Sequence, residues 1–327
     1  MGKEDTHCFD RYPRRTLPQL PLQDRPTKPS EFQVIDIPFD TKEVRKHCLT
    51  GSSSQTLMTS HPRPLILLTN DDGIASPGLH AAATALAEIG DLLVAAPAHQ
   101  QTAMGRSHTG RHGALLECVD LNILGQKVNA YGLDASPATV VRHALQALCQ
   151  DRKPDLVVSG INYGENVGTT ITVSGTVGAA FEGAVHGMPA LAVSLQMDFS
   201  KIHHHGEEDW RAAAHFVRQF ALRLLERPLP FDVDVLKVDV PEGATLETPW
   251  RLTRLSRQHY VEVILDEPHP GSRLGDGRVT VRVDETTLES DSDIHALVRD
   301  RVVSVTPLSL DSTSRTRFGD IQAFLEP

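Results

Sequence analysis

Pro64–Gly78 reads PLILLTNDDGIASPG, and the way its first half runs into its second decides the fold. Leu65, Ile66, Leu67 and Leu68 follow one another with no polar alternation and lead into Thr69, Asn70, Asp71, Asp72 and Gly73. A strand that is apolar at every position is covered on both faces, which is the mark of a parallel sheet. Pro77 then stands near the start of a helical pattern, SPGLHAAATALAEIG, with apolar residues at helical spacing and Gly90 as the stop.

The same alternation recurs downstream. DLLVAAPA reads as a second strand, Ala138 to Leu148 as a helix, Asp155 to Gly160 as a strand, Ser174 to Gly187 as a helix and PALAVSL as a strand. Nearly continuous apolar strands separated by helices predict an α/β, doubly wound core with a mostly parallel sheet. Past about Asp198 the character changes. IHHHGEEDW, with His203, His204 and His205, reads as a solvated loop; Trp210 to Arg227 is an amphipathic helix, and FDVDVLKVDVP a strand. HYVEVILDEP and RVTVRVDE alternate as strands around the turn-rich HPGSRLGDG, which predicts a hairpin excursion. RDRVVSVTPLSLD is a late strand and FGDIQAFLE a short terminal helix.

Residues 1 to about 63 differ. Prolines at 13, 18, 21, 26, 29, 38, 62 and 64 break every period, and TGSSSQT follows at Thr50 to Thr56. A disordered extension is expected here, with Met58 as an alternative translation start. The boundaries expected are 1–63 for the extension and 64–327 for the folded domain, with 64–200 as core and 250–327 as the hairpin and oligomerisation region.

With 32 Lys+Arg against 42 Asp+Glu, the formal net charge of -10 argues against nucleic-acid duplexes and anionic membranes as partners. An anionic substrate would need a local reversal of that field. Cys8, Cys48, Cys118 and Cys149 are far apart and form no C-x-x-C, so neither a zinc site nor a disulfide framework is expected. With a charged amino terminus lacking an apolar segment, this reads as a reduced, cytoplasmic protein. The opening MGKEDT fits the myristoylation pattern, but Lys3, Glu4 and Asp5 are poor company for it.

In a doubly wound sheet, ligands bind beyond the carboxyl ends of the strands. Three polar clusters fall there: TNDDG, PAHQQTAMG and SGINYGENVG. The turn begun at Gly73 can bring Asp71 and Asp72 to one cavity, where two carboxylates within ~4 Å repel by ~1 kcal/mol in water and more near the interior. They need a cation or a shared proton. A hard divalent ion takes one or two carboxylates plus neutral oxygens. Thr102 and Asn162 supply such oxygens, whereas a bare Asp-Asp-Gly turn with capping aspartates is the structural alternative. Ser174, Gly175 and Thr176 open a helix whose free amides and dipole favour an anion, and Ser174 can equally be a plain N-cap. Asn166 could reach phosphate or metal; Gly178, Gly183 and Gly187 read as close-packing residues. There is no Walker-type loop, no strand-linked G-x-G-x-x-G and no G-x-S-x-G elbow.

ILLTNDDGIASPGL, VAAPAHQQTAMG, PDLVVSGINYGENVG, SGTVGAAFEGAVHGMPALAVS and VSVTPLSLD together resemble, in order and spacing, the survival protein SurE family of metal-dependent nucleotidases. The resemblance runs from about Pro64 to Leu325. It implies a Rossmann-like three-layer αβα core, a protruding β-hairpin and a carboxyl-terminal element exchanged between subunits of a homodimer or homotetramer. It also implies hydrolysis of nucleoside 5′- and often 3′-monophosphates, sometimes short polyphosphate, with one Mg²⁺ or Mn²⁺ per subunit. By resemblance Asp71, Asp72 and Asn162 are catalytic and bind the metal with Thr102, where the family usually has serine. Asn70 and Gly105 join Ser174, Gly175 and Thr176 at the phosphate. Thr139 stands where an aspartate is common. The mechanism expected is metal-assisted phosphomonoester hydrolysis by activated water, with a catalytically weak phosphate-binding protein as the alternative.

Overall fold

The computed structural model describes residues 63–197 and 208–326. The proline-rich stretch up to residue 62 and the histidine run at 203–205 lie outside the described residues. Eleven strands and six α-helices follow in the order β1 (Leu65–Thr69), α1 (Pro77–Ala87), β2 (Asp91–Pro97), β3 (Glu117–Ile123), β4 (Gln126–Leu133), α2 (Pro137–Leu148), β5 (Leu156–Tyr163), α3 (Gly175–Val185), β6 (Ala190–Leu195), α4 (Arg211–Glu226), β7 (Val235–Val240), β8 (Trp250–Leu252), β9 (Val261–Ile264), β10 (Arg278–Val281), α5 (Asp293–Val298), β11 (Val303–Leu308) and α6 (Phe318–Leu325).

Nine strands form one sheet in the order β3-β4-β2-β1-β5-β6-β7-β11-β8. The run from β4 to β7 is parallel throughout, while β3 and β11 pair antiparallel to β4 and β7. The expected mostly parallel, doubly wound sheet is therefore the observed one. The apolar run of β1 accounts for its central place: Ile66 and Leu68 pack into the core beneath α1 and α4, and Leu67 into the opposite core beneath α2 and α3. Both faces of the strand are dry, as its sequence demands.

The chain leaves β1 through α1 to β2 on one side and reaches β5 through α2 on the other. The two crossovers diverge between β1 and β5, which makes their carboxyl ends the topological switch point. β9 and β10 form the expected separate antiparallel hairpin, in the register Val261↔Val281 to Ile264↔Arg278.

Several elements depart from the sequence reading. The edge strand β3, its neighbour β4 and the short β8 and α5 are absent from the sequence reading. β5 runs past Gly160 to Tyr163, with a register shift against β6 between Ser159 and Asn162. Cys149 is free and buried. Among the described residues, no helix is long and apolar enough to cross a membrane.

Candidate active site

The turn after β1 is built by its own side chains. Asn70, wholly buried, donates from Nδ2 to the Gly73 carbonyl at 3.0 Å and accepts the Gly73 N–H at 3.2 Å. Gly73 takes φ +100°, a conformation glycine adopts without penalty, and the Ile74 N–H then docks on the Pro97 carbonyl at the end of β2. Asp71 and Asp72 are held within this closed turn at 7% and 8% exposure.

Each carboxylate is met by neutral donors. Thr176 Oγ1 donates to Asp71 Oδ1 at 2.5 Å, and the Thr176 backbone also hydrogen-bonds this carboxylate. The Tyr163 N–H donates to Asp72 Oδ2 at 2.9 Å and Gln100 Nε2 to Asp72 Oδ1 at 3.2 Å. Burial first, and the neighbouring Asp72 charge second, push Asp71 up to about 7, against the lowering effect of Thr176. Burial pushes Asp72 up to about 6, against the Tyr163 and Gln100 hydrogen bonds. Among the described residues, no lysine or arginine contributes to either carboxylate. Two buried acids without a cationic side chain hold their charge only with an added cation; otherwise they retain protons.

α3 approaches this pair end-on. Ser174 is its N-cap, accepting the Val177 N–H at 3.1 Å, so the capping reading of that residue is correct. Gly175 lies so close to Asp71 that a Cβ there would stand 2.7 Å from both the Asp71 Cβ and Oδ2. The residue at the helix start is small because the carboxylate occupies the space.

Asn162, half-buried near the end of β5, donates from Nδ2 to the Gly164 carbonyl at 2.6 Å, which leaves its Oδ1 as an acceptor. The loop after β2 is tied to the aspartates by the Gln101 N–H, which donates to the Asp71 carbonyl at 2.7 Å. Thr102 follows directly and is exposed, with no hydrogen bond among the described residues. Thus the carboxyl ends of β1, β2 and β5 and the start of α3 meet at the switch point.

Two residues expected at the phosphate also shape the loops around it. Both functional groups of Asn70 serve the turn, and the Gly105 N–H donates to the Val173 carbonyl at 2.8 Å. Asn166, read as a possible ligand, is buried and donates to Ser194 Oγ at 2.9 Å. Thr139 Oγ1 lies 2.9 Å from Ser136 Oγ, which donates to the Ser107 carbonyl, so it braces the loop after β2 through α2. Gln100 and the Tyr163 N–H were missed by the sequence reading. Gln100 sits within PAHQQTAMG and could have been weighed there; a backbone N–H leaves no trace in residue type.

The donor set is all oxygen. Among the described residues there is no group of three or more His, Cys, Asp and Glu able to hold a metal ion, so a zinc-type site of several such ligands is not what these residues form. Two carboxylates with amide and hydroxyl oxygens fit a hard cation such as Mg²⁺ or Mn²⁺.

A Rossmann-like sheet whose switch point carries paired buried carboxylates beside a helix N-terminus defines an α/β protein with an oxygen-lined ligand crevice. Comparison with protein-family models gives the family: that of survival protein SurE matches residues 66–262, and the chain belongs to the SurE family. The 5′-nucleotidase SurE of Thermococcus gammatolerans is 42% identical over 261 residues, covering 80% of this chain and 95% of that protein. The 5′-nucleotidase SurE of Thermococcus kodakarensis is 41% identical over 261 residues, covering 80% and 98%. The crystal structure of the SurE protein from Aquifex aeolicus superposes with a TM-score of 0.64 at 29% identity, covering 80% of this chain and all of that one.

Proposed function

We propose that this protein is a metal-dependent 5′-nucleotidase that hydrolyses nucleoside monophosphates to nucleoside and phosphate. The observation that carries the reading is the pair of buried aspartates, with no cationic side chain beside them among the described residues, set against the start of α3 at the switch point. The curated relatives, named 5′-nucleotidases, support the same reaction.

Asp71 and Asp72 would hold one Mg²⁺ or Mn²⁺ per subunit, with Asn162 Oδ1 and the Thr102 hydroxyl as neutral ligands. When bound, the ion supplies charge neutralisation and Lewis-acid polarisation of the phosphoryl group. The chain's own residues do the rest. Thr176 and the Tyr163 N–H each hold one oxygen of an aspartate and so fix which oxygens face the crevice. The first turn of α3 presents the Gly175 N–H and the positive end of its dipole to a phosphate oxygen. Ser174 fixes that turn as N-cap, Asn70 closes the aspartate turn and Gly105 packs the β2 loop against Val173. The paired acids would hold the cation, and the start of α3 would meet the anion beside it.

We also assign the exposed α6 to contact with a second copy, in a homodimer or homotetramer. None of its residues is buried, and Phe318, Phe324 and Leu325 are 78%, 83% and 73% exposed. Light scattering of the full chain and of one ending before residue 312 tests this, a loss of mass per particle being expected for the shortened chain.

Phosphate release from 5′- and 3′-nucleoside monophosphates, after chelation and then with Mg²⁺ or Mn²⁺ restored, tests the activity. Release that stops on chelation and returns with metal is expected. No release with any metal from folded protein would remove the enzyme reading.

A further inference from the structure

Beneath the site lies a set of buried charges that the reaction does not use. Lys237 and Asp239 stand two residues apart on β7 and Asp293 opens α5; all three are wholly buried. Lys237 Nζ is paired with Asp239 Oδ2 and lies 3.2 Å from Asp293 Oδ2. A burial this complete is tolerated only where every charge is paired and its remaining hydrogen-bonding capacity is used.

That capacity is spent on one loop. Lys237 Nζ donates to the Asn166 carbonyl at 2.8 Å, and Asp239 Oδ1 accepts the Asn166 N–H at 2.8 Å. Both backbone polar groups of Asn166 are thus held by the two ends of one ion pair. Asp293 Oδ2 accepts the Gly168 N–H at 3.0 Å, while its Oδ1 accepts the N–H groups of Ser256 and Ile294. The Asn166 side chain is fixed from β6 by Ser194. One residue earlier, Glu165 takes the Tyr260 hydroxyl at 2.6 Å on Oε1 and the Met197 N–H at 3.3 Å on Oε2. Tyr260 is 2% exposed and directly precedes β9, the first strand of the hairpin.

The clamped segment, Glu165–Gly168, follows within three residues of Asn162 and two of Tyr163. Tyr163 supplies the N–H that holds Asp72, and Asn162 the amide oxygen assigned above to the metal. We propose that the Lys237–Asp239–Asp293 triad, Ser194 and the Tyr260–Glu165 hydrogen bond are positioning residues for the metal: they fix the loop that presents Asn162 and the Tyr163 N–H, and they tie its placement to the root of the β9–β10 hairpin. Rigidity at Asn162 requires it, because Asn162 itself is only half-buried and its one side-chain hydrogen bond among the described residues, to Gly164, is made within the same loop. The inference rests on the metal site assigned above.

The test uses the full chain and Mn²⁺ alone, with three variants. Tyr260→Phe removes the hydroxyl and keeps the ring packed with Val167, Ile294 and Leu297. Ser194→Ala frees the Asn166 side chain from a different strand, so the inference survives a failure of either variant to fold. Thr253→Val is the control: it removes a buried hydroxyl bonded to Ser304 and Thr306, away from the loop. Calorimetric titration should show Mn²⁺ affinity falling by about tenfold or more in the first two, the size of effect outer-shell partners have on metal sites. Amide exchange across residues 163–168 should quicken in the same two in the metal-free state. The control should lower the melting temperature and move neither quantity. Unchanged Mn²⁺ affinity and exchange in both loop variants, with wild-type binding intact, overturns the positioning role alone. Failure of the wild type to bind Mn²⁺ at all overturns the metal site and the inference together.

Discussion

Thr176 Oγ1 donates to Asp71 Oδ1, so the first turn of α3 is bonded to the carboxylate that ends β1. The bond does two things at once. It commits one oxygen of Asp71 inward, leaving Oδ2 on the side where Gly175 stands. It also joins two elements, distant in sequence, whose relative placement would set the spacing between the proposed cation and an anion at the helix end.

Asp71→Asn keeps the acceptor for Thr176 and removes the charge. Phosphate release should fall by more than about a hundredfold, beyond the range that outer-shell changes reach. The metal-free variant should melt higher than wild type, since a buried carboxyl in repulsion with Asp72 is replaced by a neutral amide. Turnover equal to wild type would remove Asp71 from the mechanism.

The same two acids set the pH response of the metal-free protein. Unfolded, both titrate near 4; folded, burial raises Asp71 to about 7 and Asp72 to about 6. Between about pH 4 and pH 7 the folded state therefore binds more protons than the unfolded one, and this contribution to stability falls as pH rises. Metal binding must displace those protons, so Mn²⁺ affinity should strengthen from pH 6 toward pH 8. Melting curves across this range, with and without Mn²⁺, check both signs. A metal-free melting temperature that rises steadily over pH 4–7 in wild type but not in Asp71→Asn would contradict the first.

Much of this was legible in the sequence because it rests on hydrophobic pattern. The unbroken apolar run of β1, Pro77 at the helix start and the glycine-opened α3 each carry their own signal, and together they fix the switch point. β3 was missed because only Leu121 and Ile123 of its seven residues are buried, which leaves an edge strand with little pattern to read. The site was legible as residue types but not as partnerships. Asn70 and Gly105 have the chemistry of phosphate donors, and their bonds to Gly73 and Val173 were not readable from residue type. Asn166 has the chemistry of a ligand, yet Ser194 holds its side chain and a buried ion pair on β7 holds its backbone. Which partner a donor finds is decided by tertiary packing, and no spacing rule reports it.

Gly175→Ala places a methyl group where Asp71 already stands, 2.7 Å from its Cβ and Oδ2. Alanine favours the helix by up to about 1 kcal/mol over glycine, so helix propensity opposes any loss of stability. The clash falls on the carboxylate, which must move or push α3 away. Metal affinity and turnover should both drop by at least about tenfold while helical content is retained. Wild-type Mn²⁺ affinity in this variant would show that Asp71 moves without consequence and is not a ligand.

Thr102 is exposed, which allows a clean test of the hydroxyl assigned to the metal. Serine keeps the hydroxyl and removes the methyl that restricts χ1, so it reaches a ligand geometry more freely. Because the methyl is exposed, Thr102→Ser should change stability by less than about 0.5 kcal/mol. Mn²⁺ affinity should hold or improve. Thr102→Val keeps the shape and loses the oxygen; if the hydroxyl is a ligand, affinity and turnover fall in this variant and recover in serine. Equal affinity in all three would exclude Thr102 from the metal, leaving Asp71, Asp72 and Asn162 as the protein ligands and Thr102 as an exposed neighbour of Gln101, whose N–H already ties the loop to Asp71.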